Sequence, residues 1–289
     1  MAITNRKIKT SHADIAICET SGKGLPILFL HGNSSCKEVF RHQLESALGD
    51  TYRMIAMDLP GHGASGDAID PARTYSIPGY AEAAVEALGA LGVRQAVVVG
   101  WSLGGHIAME MIPRFDGLAG VMIVAAPPVG RSPEEIQAGF KPTPVIGLAG
   151  KPEMTPEEVD AFAAATCGVP VDAMHRDAIV RTDGRARGMM FASLFAGQAA
   201  DERRLAENSP VPIAIVNGAD DPLVNTDYVG SLAYRNLWDD HCYVLRGAGH
   251  AVFMQEPATF NAILDRFLGD MAKRTVKKSA GKSSKVAAA

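Results

Sequence analysis

Short runs of uninterrupted apolar residues alternate with amphipathic stretches through the first half of the chain. Pro26–Leu30 (PILFL), Met54–Met57, Ala96–Val99 (AVVV) and Gly120–Ala125 (GVMIVA) are continuous runs, the pattern of strands covered on both faces. A hairpin region around Lys7–Thr20 precedes them, and Lys37–Leu48, Tyr75–Leu91 and Leu103–Arg114 between them carry helical spacing. This alternation predicts βαβ units feeding a mostly parallel sheet flanked by helices, an α/β domain.

From about Gly130 to Asn208 the strand pattern disappears. Two strong helix starts stand there, Ser132-Pro-Glu-Glu135 and Thr155-Pro-Glu-Glu158, each with a hydroxyl at the N-cap, proline at the first helical position and glutamate at the third. The strand pattern returns at Pro212–Val216 (PIAIV) and Cys242–Leu245 (CYVL), and Thr259–Met271 closes as a helix. The expected organisation is a core of residues 1–129 and 209–271 with an all-helical cap, 130–208, inserted after the sixth strand.

Charge changes the picture only at the end. The chain has 289 residues, with 28 Lys+Arg against 32 Asp+Glu and a formal net charge of -4, which points away from a nucleic-acid partner. Six positive residues and no acid follow Met271, and taking those six charges from the formal -4 leaves a body of -10. That Lys/Ser/Ala/Gly run has too little apolar surface to offset the entropy of ordering it, so 272–289 reads as a disordered basic tail. The Met-Ala-Ile-Thr start lacks the apolar core of a secretory signal and no apolar window is long enough to span a bilayer; a cytoplasmic protein with no membrane partner is expected. Cys18, Cys36, Cys167 and Cys242 form no CxxC pair and join no histidine at zinc-ligand spacing, so neither a disulfide framework, a metal site nor a cofactor is expected.

The chemistry concentrates in five segments. Gly100-Trp-Ser102-Leu-Gly104 stands directly after the AVVV strand and before a helical pattern, the context of a tight strand-to-helix turn that lifts a serine hydroxyl clear of the sheet. A serine hydroxyl needs a base, and His250, in the glycine-rich Gly247-Ala-Gly-His250 loop after CYVL, is the candidate. His31 and His62 sit in HG and GHG turns and read as structural; His106 lies on the helix behind the serine. The acid that orients the base belongs between serine and histidine in chain order. Gly218-Ala-Asp220-Asp221-Pro222 fits, and Asp221, third after the glycine and just before proline, is preferred over Asp220. Two backbone N–H groups must face the oxyanion: that of Leu103, and that of Asn33 in His31-Gly32-Asn33-Ser34-Ser35.

With HGN, DLPGHG, GWSLGG, GADDP and GAGH in this order, the chain resembles the α/β-hydrolase superfamily from about Ile8 to Met271. HGNSS, Asp58-LPGHGAS65 with Asp67-AIDP71, GWSLGGHI, Pro127-Pro128-Val129, Thr166-Cys-Gly168, Arg181-TDGRAR187 and Asn236-Leu-Trp238 resemble more closely its metal-independent N-acyl-homoserine lactonases. That resemblance implies the α/β-hydrolase fold and opening of the lactone ring of bacterial acyl-homoserine signals, which quenches quorum sensing. It also implies a small acyl lactone or ester as substrate. Asn33 with Phe140, Phe162, Met190, Leu194 and Phe195 would then line the substrate pocket, although Met and Phe at helical spacing are more often ordinary core. Where the resemblance implies a cap tyrosine for the substrate amide, this chain has Phe162.

A general carboxylesterase needs the same core residues, so only the cap segments separate it from a lactonase. Ser102 argues against relatives whose nucleophile is aspartate, and a ligand-binding receptor on this fold is a third reading. Monomer and homodimer both remain open.

Overall fold

The computed structural model describes the backbone of residues 2–286 and the side chains of residues 2–275. Eight strands form one sheet in the order β1-β2-β4-β3-β5-β6-β7-β8. They are β1 Ile3–Lys9, β2 Asp14–Thr20, β3 Ile27–Leu30, β4 Met54–Met57, β5 Ala96–Trp101, β6 Leu118–Val124, β7 Ile213–Gly218 and β8 Tyr243–Leu245. β2 pairs antiparallel with β1 and β4, and every later pairing is parallel. Every residue of β3, β4, β5 and β7 is buried, because helices cover both faces and leave no solvent side for polar alternation. This is the mostly parallel, helix-flanked sheet that the alternation of runs predicts, and the α/β-hydrolase architecture that the resemblance implies.

The strand order reverses at β3: the chain moves out to β4, then returns to β5 on the other side. Loops leaving β3 and β5 therefore part, and a crevice opens beyond their carboxyl ends. HGNSS leaves β3 there and the GWSLG turn leaves β5. The loops after β7 and β8 carry Asp221 and His250 to the same edge.

Between β6 and β7 every regular element is helical: Pro133–Ala138, a 3-10 segment Pro144–Gly150, Pro156–Cys167, Ala173–Arg181, Gly184–Phe195 and Glu202–Asn208. Both expected capping boxes are formed, at Ser132/Glu135 and Thr155/Glu158. Val159, Phe162, Ala163 and Ile179 make a small core within this insertion, while Ala186, Met190, Ala199 and Ala206 join the main one.

Boundaries differ from the sequence reading in three places. The expected helix Lys37–Leu48 is broken into a 3-10 turn Lys37–Phe40 and short helices Arg41–Leu44 and Leu48–Thr51. Ser46 causes the break: its hydroxyl donates to the Gln43 carbonyl and accepts from Leu48 N–H, competing with the helix ladder. The helix expected from Tyr75 starts at Ile77, because Ser76 caps it by accepting from Gly79 N–H. The last helix runs Pro257–Val286, through most of the stretch expected as a disordered tail, because Lys, Ala and Arg favour helix and no proline intervenes; residues 287–289 lie outside those described. Among the described residues no helix is long and apolar enough to cross a membrane.

Candidate active site

Ser102 sits between β5 and the helix Leu103–Glu110 with φ 52° and ψ -119°, a conformation that costs a non-glycine residue about 1–3 kcal/mol. The neighbours explain how the turn is held. Ser102 N–H donates to the Val124 carbonyl at 2.8 Å, and the helix closes behind it with His106 N–H donating to the Ser102 carbonyl at 3.2 Å. A Cβ on Gly100 would lie 2.0 Å from the Gly104 carbonyl oxygen, and one on Gly104 would lie 2.1 Å from that of Leu30. Those contacts are backbone to backbone, so nothing can move aside. Gly104→Ala is accordingly expected to destabilise the fold by about 3 kcal/mol or more, to be read as a fall in thermal midpoint; a melting curve matching that of the parent would show that the elbow is not packed this tightly.

Asp221 is fully buried and His250 is 3% exposed. His250 Nδ1 lies 2.9 Å from Asp221 Oδ2, while Leu223 and Val224 N–H donate to Oδ1 at 2.8 and 3.1 Å. Burial pushes the Asp221 carboxyl up, but the charge and hydrogen bond of His250 and the two amides outweigh it and hold the group below the ordinary carboxylate value. Asp220, one residue earlier, is exposed. Trp101 Nε1 donates to the His250 carbonyl at 2.9 Å, tying the base loop to the residue before the serine. His250 Nε2 is buried without a hydrogen-bond partner among the described residues, and His250 and Ser102 share the wall of one cavity.

The loop after β3 is positioned by its own histidine. His31 Nδ1 lies 2.7 Å from the Gly32 carbonyl and its Nε2 accepts from Leu59 N–H at 3.0 Å; burial drives its pKa down to about 4. Both ring nitrogens are thus committed to backbone, in keeping with a structural reading. Asn33 contributes no backbone N–H to any hydrogen bond among the described residues, and as the first residue of its helix Leu103 has no intrahelical acceptor for its own. The Asn33 side chain faces the cap, donating through Nδ2 to the Ala149 carbonyl at 2.7 Å.

The cavity holds about 560 Å³ and is walled largely by the insertion. Phe140, Phe162, Met190, Leu194 and Phe195, expected from sequence as pocket residues, all line it together with Asn33, Ser102, Leu103 and His250. Ile136, Val145, Ile146 and Phe191 extend the apolar wall; they come from three separate cap segments, so sequence carries no sign of the role. Two further features went unread. Lys141 lines the cavity and donates through Nζ to the Asp221 carbonyl at 2.6 Å. Arg187, inside the Arg181–Arg187 segment, is buried and donates to the carbonyls of Lys151 and Pro152 and to Ser34 Oγ, so its guanidinium ties the cap to the loop that carries Asn33.

The alpha/beta hydrolase family matches residues 27–263 of the sequence. The chain belongs to that family. Among solved hydrolases it is similar to the N-acyl homoserine lactonase AidH complexed with N-butanoyl homoserine, at 46% identity and a TM-score of 0.90 over 93% of this chain and 97% of that one. A variant of AidH complexed with N-hexanoyl homoserine lactone superposes with a TM-score of 0.91 at 45% identity, over 93% and 99%. Esterases of the family stand further off. The pimeloyl-[acyl-carrier protein] methyl ester esterase of Neisseria meningitidis serogroup A is 27% identical over 84% of this chain and 76% of its own length. Ser102, Asp221 and His250 follow one another along the chain in the order serine, acid, histidine that hydrolases of this fold use. Burial pushes the Cys167 thiol up to about 12, far from a thiolate at neutral pH.

Proposed function

We propose that this hydrolase opens the lactone ring of N-acyl-homoserine lactones. The observation that carries the reading is the apolar cavity of about 560 Å³, walled largely by the cap with Ser102 and His250 in its lining, in a chain 46% identical to a lactonase solved with N-butanoyl homoserine. An acyl chain fits such a wall through burial alone, which is worth about 0.8 kcal/mol for each methylene.

In this mechanism Ser102 Oγ attacks the lactone carbonyl while His250 Nε2 takes its proton. The negative charge that develops on the carbonyl oxygen faces the N–H groups of Asn33 and Leu103, at a helix N-terminus whose dipole favours it. Collapse breaks the ring C–O bond, and imidazolium returns the proton to the leaving alkoxide. The product of this half-reaction is a homoseryl ester on Ser102 whose free hydroxyl remains tethered. Water, deprotonated by His250, then attacks the ester and releases N-acyl homoserine as its carboxylate. Asp221, ionised and fixed by two amides, holds His250 in the tautomer with Nε2 free to accept.

Mass spectrometry of the products separates the alternatives. Incubation with N-hexanoyl-homoserine lactone in chelator is expected to give ring-opened N-hexanoyl homoserine well above the spontaneous rate. Free hexanoate with intact homoserine lactone would mean amide cleavage, and no product alongside rapid turnover of a simple p-nitrophenyl ester would favour a carboxylesterase. The observation on that side is Phe162, which offers a substrate amide no hydroxyl.

A further inference from the structure

The cavity contains a second histidine–carboxylate pair. His106 lines it one helical turn beyond Ser102; the residue is 6% exposed, and its Nδ1 lies 2.8 and 3.0 Å from the two oxygens of Glu202, itself 1% exposed. Nδ1 is therefore spent, and among the described residues the hydrogen bonds of the His106 ring are those of Nδ1 alone. Phe140 packs near the imidazole, ring centres 6.2 Å apart, so this polar edge stands beside the apolar wall of the cavity.

The two pairs are electrostatically opposite. Asp221 accepts two short bonds from backbone N–H and stays ionised. Glu202 has a single long backbone donor, Val129 N–H at 3.4 Å, and burial, with the nearby Glu110 charge adding to it, raises its carboxyl above the ordinary range despite His106. A net charge held there is costly, so the pair favours its net-neutral arrangements. There are two: imidazolium facing carboxylate, or imidazole accepting the carboxylic proton at Nδ1. In both, Nε2 carries hydrogen and is a donor. His250 Nε2 must accept a proton, whereas His106 Nε2 has one to offer.

We infer that His106, set by Glu202, is a specificity-determining residue that donates a hydrogen bond to a carbonyl oxygen on the third carbon of the substrate's acyl chain. The distances agree in scale. Ser102 and His106 wall the same cavity, and the His106 N–H reaches back to the Ser102 carbonyl, one turn whose four residues rise about 6 Å. Five bonds separate the lactone carbonyl carbon from the third acyl carbon, and an extended chain of that length also spans about 6 Å. A lone donor in an apolar wall favours a ligand that brings the matching acceptor, because an unsubstituted chain strips the donor of water and leaves it unpaired.

The inference rests on the lactonase reading for its substrate, so binding and turnover are measured separately. Binding of N-(3-oxohexanoyl)- and N-hexanoyl-homoserine lactone to Ser102→Ala protein is compared by calorimetry, and kcat/KM for the same two compounds is compared in the parent. The 3-oxo compound is expected to be favoured about tenfold, the worth of one hydrogen bond. His106→Phe, made on both backgrounds, is expected to bring each ratio to about one, and His106→Gln, which keeps a donor, to restore part of it; thermal melting checks that each variant is folded. No preference in the parent, or a preference surviving in folded His106→Phe, overturns the assignment. If neither lactone is opened but the binding ratio and its loss are as expected, the lactonase reading fails and the role of His106 stands.

Discussion

Ser102→Ala is expected to lower kcat by roughly 10⁴ to 10⁶-fold, the range over which removing a triad serine reduces catalysis to what binding and the oxyanion donors supply. The loss should come without a loss of fold. Ser102 holds its turn through its backbone, donating to Val124 and accepting from His106, and alanine keeps both bonds. The φ of 52° is equally strained for serine and alanine, so the two proteins should melt together. Ser102→Gly is expected to melt higher than Ser102→Ala by an amount corresponding to about 1 kcal/mol, since only glycine adopts this backbone without strain. A Ser102→Ala/His250→Ala double variant should be no slower than Ser102→Ala alone, because base and nucleophile act as one unit. Steady-state kinetics on lactone and ester substrates read all of these. A folded Ser102→Ala protein retaining more than a tenth of parental kcat would remove Ser102 from the mechanism.

The strained backbone at Ser102 also explains why this part of the site is legible in the sequence. Gly100 and Gly104 are demanded by close backbone approach, and GWSLG between a strand and a helix is a local signal of that crowding. The candidate acid and base are legible for a related reason: each follows a short apolar run, buried throughout in β7 and only partly in β8, and these two neighbouring strands deliver them to one edge of the sheet. What stays hidden is whatever depends on the cap's docking. Phe140 and Leu223 come together only because Phe140 bridges to Val224 across 84 residues of sequence. Glu202 has nothing around it in sequence to separate it from a solvated helix-start acid, yet folding buries it against His106 from another part of the chain. His106 itself carries a sequence signal, since it stands four residues after Ser102, one turn into the helix that the serine caps. The break at Ser46 is hidden differently, since helix periodicity continues through it while one hydroxyl takes over the backbone bonds.

Asp221→Asn is expected to lower kcat about 10⁴-fold, and the structure gives the reason in terms of tautomers. Leu223 and Val224 N–H both aim at Oδ1. In the asparagine variant only the amide oxygen can satisfy them, and the NH₂ group is forced toward His250 Nδ1. That nitrogen must then accept, which places the imidazole hydrogen on Nε2 and leaves nothing to take the proton of Ser102. The side chain keeps its shape and its bonds while the base is switched off. Asp220, exposed on the same loop, should tolerate the same change with kcat altered by less than about threefold; comparable losses in the two variants would undo the choice between them. Stability reports the same group through pH. Because the Asp221 pKa is held below its unfolded value, its ionised form stabilises the fold at pH values above the unfolded carboxylate pKa of about 4, and that contribution drains away as pH falls through the lower, folded value. The asparagine variant has no such group to titrate, so the gap in unfolding free energy between parent and variant should be constant from neutral pH down to about 5 and close in stronger acid. A gap that instead widened as the pH fell would mean that Asp221 is protonated in the folded enzyme, and a protonated carboxyl could not hold His250 as a base.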